Sequence, residues 1–113
     1  MALALNNYVT KPAVATTEQV GIYTAPSGYN AVVLCAQATN IDSISHDVTF
    51  SHVRSISGIA VTTYASYKKP IASHDTIELV TGKLTLVPGD TFKVSADIAD
   101  NLHILVTVLE TLI

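Results

Sequence analysis

The feature that most constrains this chain is its punctuation. Turn-forming clusters recur at short intervals: Pro26-Ser27-Gly28, Asn40-Ile41-Asp42-Ser43, Ser55-Ile56-Ser57-Gly58, Pro70, Ser73-His74-Asp75, Gly82, Pro88-Gly89-Asp90 and Asp100-Asn101. No window between them sustains a helical apolar period. The intervening segments draw on 13 Val, 10 Ile and 14 Thr, β-branched residues that suit a pleated surface better than a helix. Short strands spaced roughly 8–12 residues apart, with turn signals between them, predict an all-β antiparallel sandwich. About eight or nine strands are expected, arranged in a jelly-roll-like or immunoglobulin-like form.

The expected strands are Gln19–Thr24, Tyr29–Thr39, Asp47–Val53, Ile59–Lys68, Thr76–Val80, Lys83–Val87, Thr91–Ala96 and Leu102–Thr111. They follow an extended segment near residues 7–16 that Pro12 threatens to break. In Val87-Pro88-Gly89-Asp90, Pro presets φ and Gly tolerates φ > 0, so a type II turn and a hairpin are expected there. Residues 1–18 read as an N-terminal arm or edge strand, and 19–113 as the sandwich.

Two strands alternate cleanly. Phe92, Val94 and Ala96 oppose Thr91, Lys93 and Ser95, and Val48 and Phe50 oppose Asp47, Thr49 and Ser51, so each should have one wet face. Two others are apolar on both faces. Leu102–Thr111 sets Leu102, Ile104, Val106 and Val108 against Leu105, Thr107 and Leu109, and Tyr29–Thr39 sets Ala31, Val33 and Cys35 against Val32, Leu34 and Ala36. A sandwich covers only one face of each strand. The second cover must come from the N-terminal segment, a long loop or another subunit.

Composition supports that last source. Of 113 residues only 6 are Lys or Arg and 9 Asp or Glu, a charged fraction of 13% where about 25% is usual. The net charge of −3 argues against a nucleic-acid partner. No apolar run approaches the ~18 residues of a membrane span, and Met1-Ala2-Leu3-Ala4-Leu5 lacks the basic region of a secretory signal. The single cysteine, Cys35, excludes an internal disulfide and reads as a small buried residue.

The chemistry-bearing residues form no recognisable site. Ser-His-Asp occurs at Ser45-His46-Asp47 and Ser73-His74-Asp75. Adjacent strand residues point to opposite faces and cannot line up as a triad, so turn formation is the better reading. His46 and His52 share a parity but stand roughly 20 Å apart at ~3.3 Å per residue, so they cannot hold one ion, and no close-spaced set of ligands suggests zinc. No glycine-rich loop implies a cofactor. The chain is therefore read as a non-enzyme without catalytic, cofactor or metal residues. Tyr64 and Tyr67, three apart, should point to opposite faces and make no single sugar-binding platform.

Several stretches together carry a resemblance. Gly21-Ile22-Tyr23-Thr24-Ala25-Pro26-Ser27-Gly28, Ala31–Asn40, Asp47–Phe50, Gly82–Asp97 and the closing Leu102–Glu110 follow in order. They resemble small all-β virion proteins of tailed bacteriophages, especially phages of marine bacteria and cyanobacteria, over residues 19–111. The resemblance implies a structural particle component made in the host cytoplasm and resident in the virion. It carries over no catalytic residue.

The expected role is a capsid decoration or cement protein. Its partners would be itself, as a homo-oligomer such as a trimer, and other virion proteins such as the major capsid protein. The alternatives are a neck, tail or baseplate accessory, or a carbohydrate- or host-surface-binding module. The candidate assembly contacts are Leu3, Leu5, Tyr8, Val9, Tyr64, Tyr67, Leu105, Leu109, Leu112 and Ile113.

Overall fold

The computed structural model describes residues 6–80 and 84–112. Among them are nine strands: β1 (Asn6–Val14), β2 (Val20–Thr24), β3 (Tyr29–Asn40), β4 (His46–Ile56), β5 (Ile59–Ile71), β6 (Thr76–Glu78), β7 (Leu84–Leu86), β8 (Thr91–Ala96) and β9 (Leu102–Leu112). They form two antiparallel sheets. Sheet A runs β1-β9-β3, with β6 and β7 both on the far side of β3; sheet B runs β2-β8-β4-β5.

Strands β6 and β7 are two halves of one interrupted edge. Thr76–Glu78 lies opposite Thr39–Gln37, and Leu84–Leu86 lies opposite Val33–Ala31. Counting them as one gives two four-stranded sheets, with the chain crossing between sheets after nearly every strand. That order is a jelly roll, which decides between the two expected sandwich forms.

Alternation builds the core. Ala31, Val33, Ala36 and Ala38 of β3 and Leu102, Ile104, Val106 and Val108 of β9 are buried from one sheet. Val48 and Phe50 of β4 and Phe92 and Val94 of β8 meet them from the other. The Phe50 and Phe92 rings sit 4.9 Å apart, tilted by 39°.

Four expectations need correction. The turn at Val87–Asp90 forms, with Gly89 at φ 92° and the Asp90 N–H donating to the Val87 carbonyl at 3.0 Å. It closes no hairpin, however: β7 pairs with β3 in sheet A and β8 with β2 and β4 in sheet B. The turn carries the chain from one sheet to the other. Pro12 does not break β1, because β1 is an edge strand that needs no N–H there, and pairing with β9 runs unbroken from Asn6↔Thr111 to Val14↔His103.

Cys35 is exposed, not buried. A bulge between Val33 and Cys35 shifts the parity of β3, so that Ala36 takes the inward place and Cys35 pairs with outward Thr107. Thr49 and Ser51, expected on a wet face, are buried. The Lys68 N–H donates to Thr49 Oγ1 at 3.1 Å, and Ser51 Oγ donates to Gln19 Oε1 at 2.8 Å.

Each end of the sandwich is fastened by a buried polar group. At one end Asn40 donates to the carbonyls of Ile44 and Ile71, at 2.8 and 3.0 Å, and accepts from the Asp42 N–H. Beside it, buried His46 sets Nε2 2.7 Å from Asp42 Oδ2 and Nδ1 3.2 Å from Asp97 Oδ2. Both ring nitrogens face carboxylates, so the doubly protonated ring fits the site. The Asp42 bond raises the His46 pKa; desolvation opposes it, and Asp97 adds to the rise. The bonds from His46 and the Ser43 N–H hold Asp42 below its ordinary value.

The stabilising contribution of His46 is therefore complete below its unfolded pKa of about 6.5 and is lost as pH rises through the raised folded value. That of Asp42 is complete above its unfolded pKa and is lost as pH falls through the lowered folded value. The Tm difference between the native chain and His46→Gln should be largest near pH ~5 and shrink on alkaline titration. Thermal unfolding across pH checks this, and a constant difference would remove the imidazolium from the account.

Candidate assembly surface

The inward residues of sheet A fill the core, so the alternate residues necessarily face out. In β1 these are Tyr8, Thr10, Pro12 and Val14; in β9 they are His103, Leu105, Thr107 and Leu109. On β3 their counterparts are Val32, Cys35, Gln37 and Thr39, with Leu34 added by the bulge. Tyr8, Leu109 and Val32 form one cross-strand row, and Pro12, Leu105 and Gln37 another.

None of these outward positions carries an Asp, Glu, Lys or Arg. Tyr8 is 72% exposed, Val14 47% and Leu105 40%. The polar groups between them bond to one another rather than present charge: Thr10 Oγ1 lies 3.3 Å from Thr107 Oγ1, and Thr39 Oγ1 2.8 Å from Thr76 Oγ1. At the end near Val14 the face dips into a chiefly apolar depression of ≈ 460 Å³, lined by Pro12, Val14, Gln37, Thr39, His103 and Leu105 among others.

The described residues leave this face uncovered. β1 does not fold over the sheet as a lid but extends it sideways. An uncharged sheet face with apolar rows, on a chain short of charge, is surface suited to burial by another molecule.

The expected contact residues divide four ways. Tyr8, Leu105 and Leu109 come together on the sheet A face. Val9 turns inward and packs against the core, and Leu112 is half-buried opposite Tyr29 at the end of β9. Leu3, Leu5 and Ile113 lie outside the described residues. Sequence reasoning passed over Pro12, Val14, Leu34 and Cys35. The parity of Tyr8, Thr10, Pro12 and Val14 carried the signal in β1, but the bulge that turns Leu34 and Cys35 outward has none.

Tyr64 and Tyr67 are on the opposite sheet, and the expectation that they face apart is overturned. Ser51 pairs with Tyr64 and Phe50 with Ser66, so Ala65 is an extra residue that resets the parity. The two rings meet edge to face, 4.7 Å between centroids and 64° between planes, with Lys68 Nζ 5.5 Å from the Tyr67 centroid. Perpendicular rings still offer no flat stacking platform.

A second cluster gathers on Asp90. His52 Nε2 and the Arg54 guanidinium both bond buried Asp90, at 3.0 and 2.7 Å. Among the described residues no group of three or more His, Cys, Asp or Glu side chains is placed to hold a metal ion.

No protein-family model matches the chain, and no curated protein matches it. Solved structures do share its architecture. A subunit of the disulfide-linked pili that form Bacillus endospore appendages matches with a TM-score of 0.53 at 13% identity, over 100% of this chain and 96% of that one. The acid-stable capsid structure of Helicobacter pylori bacteriophage KHP30 matches with a TM-score of 0.56 at 11% identity, over 96% of this chain and 89% of that one. The infectious bursal disease virus particle matches with a TM-score of 0.54 at 5% identity, over 96% of this chain but 31% of that one. At such identities the likeness is one of fold: the chain is an antiparallel β-sandwich of a kind found in assembled particles and fibres.

Proposed function

We propose that this protein is a structural subunit of a tailed-phage virion, acting as a capsid decoration or cement protein. The observation that carries the reading is the uncharged outer face of sheet A, where Tyr8 pairs with Leu109 and Pro12 with Leu105 across β1 and β9. Such a face is buried against neighbouring subunits in the working state. Burial of apolar area gives roughly 25 cal/mol per Å² before the entropy cost of association, and many copies acting together add avidity. A contact without ion pairs should also tolerate salt.

The fold likeness to a phage capsid structure and to a viral particle supports the reading, as does the resemblance of the turn and strand patterns to those of phage virion proteins. Fold alone does not fix function, so the weight rests on the face. Self-association into a homo-oligomer and attachment to the major capsid protein both belong to this proposal.

Quantitative mass spectrometry of particles purified from the phage that encodes the chain tests it. Hundreds of copies per particle are expected of a shell component. A few dozen, in multiples of three or six, would move the protein to the neck, tail or baseplate, and absence from the particle would overturn the proposal. The face itself is tested by Leu105→Asp combined with Leu109→Asp. Binding to particles should fall by roughly tenfold or more for each substitution, while the circular-dichroism melt stays within a few degrees of the native chain's. Unchanged binding would remove sheet A from the contact.

A further inference from the structure

The β4–β5 hairpin ends in the two-residue turn Ser57-Gly58, both at positive φ (53° and 79°), the primed form that matches the twist of paired strands. Pairing of β4 with β8 stops at Val53↔Thr91. Pairing of β4 with β5 continues through Arg54↔Val61, Ser55↔Ala60 and Ile56↔Ile59. The tip therefore projects beyond the sandwich, in a molecule 48 Å along its longest axis. Ile56 and Ile59 face each other across the tip, 53% and 68% exposed, with Val61 beside them at 39%. Residues 55–67 contain no charge.

The depression on sheet A lies at the other end of the molecule. Its walls Val14, Thr39 and His103 sit at the end where β1 leaves β9 and β3 reaches Asn40, alongside His46 and Asp97. The hairpin tip lies at the end marked by Asn6, Tyr29 and Thr91. A knob and a socket at opposite ends cannot meet within one chain, but they can meet between chains.

We propose that the Ile56–Ile59 tip of one copy seats in the Pro12–Leu105 depression of the next, a head-to-tail contact between identical subunits. This deepens the proposed function by naming a second copy as the occupant of one corner of the sheet A face. The socket lining carries no Asp, Glu, Lys or Arg, so a charged partner would find nothing to pair with there, whereas the one cation beside the tip, Arg54 opposite Val61, is already held by Asp90.

Three aliphatic side chains make a footprint well below the ~800 Å² per partner of a stable pairwise complex. A single contact is weak, and its effect comes from repetition. Head-to-tail contacts propagate as rings when the rotation closes and as filaments when it does not.

The test is a disulfide trap in a Cys35→Ser background. A chain carrying both Ile59→Cys and Leu105→Cys, mildly oxidised, should give a ladder of dimers, trimers and higher multimers on a non-reducing gel. An Ile59→Cys chain mixed with a Leu105→Cys chain should give mixed dimers, at least ~10-fold over either homodimer. Leu105→Cys homodimers in excess would overturn the knob-and-socket contact while leaving sheet A as an interface between like faces. Monomers throughout would also overturn it, and particle binding by the native chain would then still support the virion role. As a second readout, Ile56→Asp with Ile59→Asp should weaken self-association in sedimentation by ~10-fold or more without altering the melt. Unaltered sedimentation by that variant would overturn the inference too.

Discussion

Replacing Asp90 with alanine should lower the unfolding free energy by about 3 kcal/mol, the low end of what removing one partner of a buried ion pair costs. Asp90 is 2% exposed and lies at the close of the turn between β7 and β8. Its carboxylate accepts from Arg54 Nε and Nη2, from His52 Nε2 and from the Val87 N–H, at 2.7 to 3.1 Å. Burial alone would push its pKa up. The bonds from Arg54, His52 and Val87 outweigh that and hold it below the ordinary carboxylate value.

Alanine strands the Val87 N–H and His52, while Arg54, being partly exposed, can turn to water. Asp90→Asn keeps one acceptor and should cost less. Urea unfolding with an unchanged m-value checks both variants. A loss under ~0.5 kcal/mol for alanine would place the cluster among surface ion pairs of little weight. The pH dependence has a definite sign. The contribution of Asp90 is present above its unfolded pKa and is lost as pH falls through the lowered folded value.

A second large effect is expected in the core. Phe50→Ala should cost ~3–5 kcal/mol, the range for emptying a buried aromatic site. Phe50 is fully buried and packs tilted against Phe92, on the central strand pair of sheet B. The neighbouring sheet can collapse only partly into the space. A domain of this size holds about 5–15 kcal/mol in all, so the variant should melt far below the native chain or fail to fold at ordinary temperature. A loss below ~1.5 kcal/mol in denaturant titration would mean that the two sheets close over the gap.

Much of this architecture is local and was legible in the sequence. The strand at Thr91–Ala96 announces itself by alternation, that at Leu102–Thr111 by a run apolar on both faces, and Pro88-Gly89 fixes its turn whatever surrounds it. The two-faced apolar character of Leu102–Thr111 puts Leu105 and Leu109 on the side away from the core, without saying what covers them. What failed depends on distant partners. Nothing within Leu84–Ala96 says that β7 and β8 belong to different sheets, because β7 finds its partner 51–55 residues earlier in the chain and β8 its two partners 38–48 and 67–74 residues earlier.

Bulges are the other blind spot. One extra residue in β3 brings Cys35 to the surface, and one in β5 brings Tyr64 and Tyr67 together. Strict alternation places all three wrongly. At the hairpin tip, Ser55–Gly58 says where the chain reverses and not how far the reversal stands from the body.

The edges of sheet A have a consequence for crowding. On one side Pro12 sits within β1 with no N–H to offer, next to charged Lys11; on the other the edge is split between β6 and β7. Neither rim is a clean template for another strand. Copies held at high density can therefore meet along sheet A without zipping these two rims into cross-β ladders.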